Sequence, residues 1–253
     1  MKYAIITGVS RGLGESVAKR MLDQGVAVLG LSRSKNKELL RYSEDIGVPF
    51  YPFYVDISNH EALEDALAKI NALVFKQTTE HIYLINNAAT VNPIDRAEKH
   101  VIEAIKKHVD TNLTAPMITT SALLSQATKA HAQVIVMNIT SGAANRSTYG
   151  WSLYGSTKAG LNRYTETVAL ETAERDERHK VVLFDPSIMD TNMQGSIRET
   201  NESQFKAVDT FKAYKDNDQL RDTDVVAKVI VELLADEQGL KNGETYSIHD
   251  YMD

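Results

Sequence analysis

Thr7-Gly8-Val9-Ser10-Arg11-Gly12-Leu13-Gly14 stands between the apolar run Ala4-Ile5-Ile6 and a stretch in which Leu13, Val17 and Met21 recur every four residues. The run reads as a buried strand and the recurrence as one face of a helix. Glycine lets a chain turn tightly and lets its backbone approach a ligand closely. The helix that follows offers unpaired N–H groups and a partial positive charge in its first turn. Strand, glycine turn and helix N-terminus in that order make a cradle for a pyrophosphate, assigned to Gly8, Ser10, Arg11, Gly12, Leu13 and Gly14. A glycine cluster alone also serves a plain strand-to-helix turn. Its position on the first strand favours the cradle.

The same alternation continues outward. Val26-Ala27-Val28-Leu29, residues 49–55, Ile82-Tyr83-Leu84-Ile85, Val134-Ile135-Val136-Met137 and Val181-Val182-Leu183-Phe184 are short apolar runs. Runs without alternation suit strands of a parallel sheet covered on both faces. Between them lie stretches of helical period, including Val225, Val226, Val229, Ile230, Leu233 and Leu234. Ser58 and Glu61 have the spacing of a capping box ahead of a helix over 59–75. The expected fold is a single-domain, Rossmann-like, doubly wound α/β sheet of about seven parallel strands, with helices on both faces. Residues 190–220 are polar and lack a strong period, so a substrate lid is expected there.

Composition narrows the function. The 253 residues carry 28 Lys plus Arg against 34 Asp plus Glu, a net charge of -6, which argues against a nucleic-acid partner. No apolar run approaches the roughly 20 residues of a membrane span, and the start does not resemble a signal peptide, so no membrane partner and a cytoplasmic location are expected. Without cysteine there is no disulfide and no thiolate chemistry, and no metal site is expected.

Two further positions bear on the ligand. Where dinucleotide folds place an acid for the ribose 2′-OH, the chain reads Leu31-Ser32-Arg33-Ser34. Arg11 and Arg33 suit a 2′-phosphate instead, which points to NADP(H). Asp56, at the end of the third strand, either accepts from the adenine amino group or caps the next turn. Asn86-Asn87-Ala88-Ala89 ends the fourth strand, where Asn87 can tie neighbouring loops.

The fifth strand ends in Asn138-Ile139-Thr140-Ser141-Gly142, and Tyr154-Gly155-Ser156-Thr157-Lys158 follows. On a helix, Tyr154 and Lys158 share a face. A tyrosine titrates near ~10, and an adjacent ammonium is expected to lower that value toward useful proton transfer. Ser141 can donate to an oxygen on which negative charge develops. Residues 99–129 read as one long helix interrupted by Pro116, which has no N–H for the carbonyl of Asn112. That freed carbonyl either holds a water in a proton relay to Lys158 or marks a kink made by packing.

Together these residues resemble the short-chain dehydrogenase/reductase family over nearly the whole chain. The resemblance implies a cofactor turn at Gly8, Gly12 and Gly14, a catalytic set of Asn112, Ser141, Tyr154 and Lys158, and an NADP-preferring pair in Arg11 and Arg33. It also implies that Ile188 and Thr191, within 186–191, face the nicotinamide carboxamide. Ala89 and Ser187 stand where the family usually has glycine, and a modest local backbone change is expected at each.

Within the family the chain is similar to the sepiapterin-reductase-like branch. Through Asn138-Ile139-Thr140-Ser141-Gly142-Ala143-Ala144, Gly150-Trp151-Ser152 and Met189-Asp190-Thr191 it resembles members that reduce benzil to an (S)-hydroxy ketone. The expected partner is a small-molecule carbonyl substrate, aromatic or apolar, walled by Trp151, Ile188, Met189 and Met193. Asp250 resembles a pterin-anchoring acid, or is an exposed tail carboxylate. A pterin, a 3-oxoacyl substrate or a non-catalytic NADP(H)-sensing role are the alternatives. The family also implies a homodimer or homotetramer.

Overall fold

A computed structural model of the chain describes residues 2–75, 79, 81–175 and 178–252. Among them one sheet contains β1 (Lys2–Thr7), β2 (Ala27–Ser32), β3 (Phe50–Tyr54), β4 (His81–Asn86), β5 (Gln133–Ile139), β6 (Lys180–Asp185) and β7 (Thr245–Ser247). All neighbours are parallel, in the order β3-β2-β1-β4-β5-β6-β7. The chain moves outward from β1 in one direction and from β4 in the other. At that reversal the loops after β1 and β4 part and leave a crevice at the carboxyl ends of the strands.

Strand period two divides the core. Ala4, Ile6, Tyr83, Ile85, Ile135, Met137, Val182 and Phe184 face α1 (Gly12–Asp23), α2 (Lys37–Ile46) and α9 (Thr223–Ala235), packing on Val17, Met21, Leu39, Val226 and Ile230. Tyr3, Ile5, Leu29, Leu31, Ile82, Leu84, Val134 and Val136 face the other way. They meet Leu63, Leu67 and Ile70 of α3 (His60–Val74), Leu123 and Ala127 of α5 (Ala115–Ala130), and Val168 of α6 (Ser152–Arg175). Each such side chain contributes about 1.5–3 kcal/mol on burial. The polar strand ends are buried because they are satisfied. Asn86 donates to Asn138 Oδ1 at 2.8 Å and accepts from Thr119 Oγ1 at 2.8 Å, while Asn138 donates to Thr165 Oγ1 at 2.8 Å.

Two local expectations need correction, and a third region gains detail. The N-cap of α3 is Asn59, whose side chain accepts from Ala62 N–H; Ser58 instead donates to Asp56. The helix expected over 99–129 is broken up: α4 (Ile102–Val109) runs into a π turn (Asp110–Thr114) and then into α5. The extra residue of the π turn sits just before Pro116, where the regular ladder is already interrupted. The region 190–220 is not merely polar. It holds α7 (Asn192–Arg198) and α8 (Val208–Asp216), which share a third apolar cluster with Trp151, Phe205 and Phe211. No described helix is long and apolar enough to cross a membrane.

Candidate active site

The crevice is a cleft of about 890 Å³. Its floor is the turn between β1 and α1. Gly8 has φ 82°, in the left-handed region that glycine adopts freely. A Cβ at Gly14 would lie 2.2 Å from the Gly8 carbonyl oxygen and 2.5 Å from Asn87 Nδ2, so the turn closes only with glycine there. Asn87 fastens it from β4: its Nδ2 donates to the Thr7 carbonyl at 2.9 Å, and its N–H donates to Thr7 Oγ1 at 3.0 Å. Arg11, the residue before α1, makes no side-chain cap, so no side chain there covers the first N–H groups of the helix. Ser10, Arg11, Gly12, Leu13 and Arg33 all line the cleft. Bare N–H groups and a backbone closed by glycine fit the pyrophosphate of a dinucleotide, and two guanidiniums lie on the same wall.

Asp56 lies on the same wall and is already engaged. Its Oδ1 accepts from Ser58 N–H at 3.1 Å and Oγ at 2.8 Å, and its Oδ2 is 3.5 Å from Lys107 Nζ. Burial pushes this carboxyl upward. The Ser58 bonds and the charges of Lys107 and Arg33 outweigh that and hold it below its usual value. Asp56 therefore both caps the turn and lines the cleft.

The chemistry lies farther along. Ser141 leaves β5 in extended conformation; its Oγ accepts from Ala143 N–H at 3.2 Å and lies near enough to the Tyr154 hydroxyl to favour its ionised form. Tyr154 and Lys158 project from the first turns of α6 and are both buried. Lys158 Nζ donates to the Ile139 carbonyl at 2.7 Å and lies 5.9 Å from the centre of the Tyr154 ring. The lowered tyrosine pKa expected from the sequence is not found here. Burial pushes Tyr154 up to about 12, against the nearby Ser141 hydroxyl and with help from the charge of Asp185. Burial likewise pulls Lys158 down to about 8, opposed by Asp185. Desolvation dominates because both groups sit inside the protein, where a backbone carbonyl is the acceptor for Lys158 and the nearby Ser141 hydroxyl offsets only part of the burial of Tyr154.

Asn112 is buried beside them in the π turn. Its Oδ1 accepts from Thr90 N–H at 2.8 Å, and its Nδ2 donates to the Thr90 carbonyl at 2.8 Å. The same Nδ2 lies 3.0 Å from His108 Nε2. His108 Nδ1 faces the Asn92 carbonyl at 2.8 Å and so carries the ring proton, leaving Nε2 to accept from Asn112. The His108 ring meets the Tyr154 ring edge-on at 6.4 Å. Burial lowers the His108 pKa, aided by the charges of Lys158 and His100 and opposed by the Asn92 bond.

The far wall is aromatic. Trp151 stacks on Phe205 at 4.8 Å, meets Tyr154 at 5.2 Å and meets Phe211 at 5.4 Å. Gly150 has φ 87°, and a Cβ there would lie 2.2 Å from the Gln204 carbonyl oxygen, so glycine admits the 201–205 turn against Trp151. Ile188, Met189, Thr191 and Met193 line the cleft, and Thr191 also caps α7 by accepting from Gln194 N–H at 3.4 Å. Asp250 is not brought to the cleft. Its carboxylate accepts from Ser247 N–H at 3.0 Å and caps the final turn, while its neighbour His249 lines the cleft instead. Ser187 answers the expectation of a shifted backbone: it takes the left-handed conformation itself, with φ 56°.

Sequence reasoning passed over His108, Asp185, Ser187 as a side chain, Phe205, Phe211 and His249. Two had a usable signal. His108 lies one turn before Asn112, and Asp185 ends a strand on the side of the crevice. Among the described residues no cluster of three His, Asp or Glu side chains suited to a metal ion occurs.

The short chain dehydrogenase family model matches residues 2–202. A benzil reductase ((S)-benzoin forming) of Bacillus cereus is 38% identical over 238 residues, covering 94% of this chain and 96% of that protein. The benzil reductase ((S)-benzoin forming) of Bacillus subtilis (strain 168) is 32% identical over 256 residues, covering 100% of both. The crystal structure of a short chain dehydrogenase/reductase from Saccharomyces cerevisiae superposes with a TM-score of 0.81 at 29% identity, covering 98% of this chain and 96% of the other.

Proposed function

The chain belongs to the short-chain dehydrogenase/reductase family, and we propose that it is an NADPH-dependent carbonyl reductase acting on an aromatic or apolar ketone or diketone. The observation that carries this reading is the gathering of Ser141, Tyr154 and Lys158 at the foot of an aromatic-walled cleft. Benzil is the substrate to try first, because two relatives matched over nearly their whole length are named for it.

The nicotinamide, when bound, supplies the hydride. The chain supplies everything else. Burial keeps Tyr154 protonated at neutral pH, the state an acid needs for reduction. Tyr154 gives its hydroxyl proton to the carbonyl oxygen, and Ser141 steadies that oxygen and then the phenolate. The Lys158 ammonium is the nearby positive charge that favours the phenolate once it forms. Thr90 and His108 hold Asn112, and Pro116 has no N–H to offer its carbonyl. That carbonyl is our candidate station for returning a proton toward Lys158. Trp151, Met189 and Met193 favour a flat apolar substrate by burying its surface. Arg11 and Arg33 support NADPH over NADH, and Asp56, the acid beside them in the described cleft lining, is already paired with Ser58 and Lys107.

NADPH and NADH consumption with benzil, monoketones, a pterin and a 3-oxoacyl ester tests the reading. Tyr154→Phe should reduce turnover by at least about 10³-fold while cofactor affinity stays within about twofold, given what positioned acids contribute. Retained turnover would remove Tyr154 from the mechanism. Arg33→Ala should weaken NADPH about tenfold or more and leave NADH unchanged, the loss of one charge-assisted pair. Equal losses for both cofactors would remove the case for the 2′-phosphate.

A further inference from the structure

Ser187 occupies a backbone conformation that a glycine would hold more cheaply, since a side chain at positive φ costs about 1 kcal/mol or more. Its hydroxyl meets one distant residue, His249, which a second, Arg221, holds in turn. Ser187 Oγ lies 3.0 Å from His249 Nε2, and His249 Nδ1 lies 3.2 Å from Arg221 Nη2. A guanidinium can only donate, so Nδ1 is the accepting nitrogen and the ring proton sits on Nε2. His249 Nε2–H therefore donates to Ser187 Oγ. The serine keeps its own proton, and no described residue accepts it. Ser187 and His249 both line the cleft.

The backbone holds this hydroxyl in place from two sides. Ser187 N–H donates to Asp185 Oδ1 at 2.9 Å. Arg221 N–H donates to the Ile188 carbonyl at 3.1 Å, and the Arg221 carbonyl accepts from Asp190 N–H at 3.0 Å. Arg221 thus clasps the 188–190 segment with its main chain and orients His249 with its side chain. A strained serine, a fixed imidazole and an unused hydroxyl proton meet at one point of the cleft wall.

We propose that Ser187 is a ligand-positioning residue, whose hydroxyl, oriented by His249 and Arg221, donates a hydrogen bond to a neutral carbonyl-type oxygen bound in the cleft. The proposal rests on the carbonyl-reductase reading above. Under that reading the oxygen has two sources, the carboxamide of the cofactor or the second carbonyl of a diketone substrate.

The test compares wild type, Ser187→Ala and Ser187→Gly by fluorescence titration with NADPH, and by KM and kcat for benzil and for a monoketone. A cofactor oxygen predicts about tenfold weaker NADPH binding in both variants, the size of one lost hydrogen bond in a closed site. A substrate oxygen predicts about tenfold higher KM for benzil in both, with the monoketone unchanged. Wild-type values in both variants would overturn the proposal. So would a loss in Ser187→Ala that Ser187→Gly does not share, because it would trace to the backbone and not to the hydroxyl. Nitrogen NMR of His249 in the whole protein is expected to show the Nε2–H tautomer, and the Nδ1–H tautomer would also overturn it. A wild type that binds NADPH but reduces no carbonyl would sink the reductase reading, and the NADPH arm would still decide Ser187.

Discussion

Burial acts on Lys158 and Tyr154 in opposite directions, lowering one to about 8 and raising the other to about 12. The lysine therefore loses its charge first as pH rises. We expect kcat/KM for the cofactor, which reports the ligand-free protein, to fall through an alkaline limb near 8. Lys158→Met should lose both that limb and at least about 100-fold of turnover. A limb that persists in the variant would belong to another group. The same shift has a sign for stability. A lysine whose folded pKa lies below its unfolded value penalises folding fully at low pH, and the penalty fades as pH rises through 8 toward 10.5. The glycine turn, Ser141, Tyr154 and Lys158 were legible in the sequence because their spacing is local: one turn, one strand end, one helical turn. Ser187 was legible only as a departure from glycine. Its partner His249 lies 62 positions away, and no local pattern records that contact. The tyrosine pKa was misread for a related reason. Spacing brings a lysine to the same helix face but says nothing about water leaving both groups.

At the scale of elements, strands were the easier half. A strand buried on both faces needs a continuous apolar run, and such runs stand out at β1, β2, β4, β5 and β6. Helix details were less visible. Asn59 and Ser58 are both good caps, and only the Ser58–Asp56 bond decides between them. The helices within 190–220 left no strong period because the apolar residues of that segment are spent on a small separate cluster. Phe205 precedes α8 and Phe211 lies within it, and both pack on Trp151, so neither generates a helical stripe. Phe211 also meets Tyr214 at 5.5 Å and Phe205 at 5.4 Å. Phe211→Ala should remove the keystone of that cluster and cost about 3–4 kcal/mol, as for other buried aromatics. Because the cluster walls the cleft and does not hold the reacting hydroxyls, KM for an aromatic ketone should rise at least about fivefold with kcat little changed. Denaturant titration and steady-state kinetics read the two effects. A fall in kcat alone would mean that α8 supports Tyr154 and not the substrate wall.

At the scale of the molecule, the sheet has a chemical end and a structural end. Strand carboxyl ends open into the cleft, whereas their amino ends are closed by an ionic knot. Glu237, just beyond α9, accepts from Tyr83 Oη at 2.6 Å and from Lys2 Nζ at 3.1 Å, and Lys2 also reaches Tyr83 Oη at 3.2 Å. The knot joins β1, β4 and the segment after α9, which are far apart in the chain. Burial pushes the Glu237 carboxyl up, but the bonds from Tyr83 and Lys2 outweigh it and leave the value below normal. Its contribution is therefore complete above the unfolded carboxylate value of about 4.3 and is lost as pH falls through the lower folded value. Glu237→Gln keeps the shape and removes the charge. If the ionised carboxylate contributes about 1 kcal/mol, the variant should melt about 2–4 °C lower at pH 7 in a chain of this size. That gap should close as the pH is taken below about 4, because the wild type then loses the same charge. Carbonyl reduction at 25 °C should be unchanged, since the knot lies at the opposite end of the sheet from Tyr154. A melting gap that stays constant down to pH 3 would mean that the glutamate acts through packing and hydrogen-bond geometry, and that the charge at this end of the sheet contributes nothing to holding it closed.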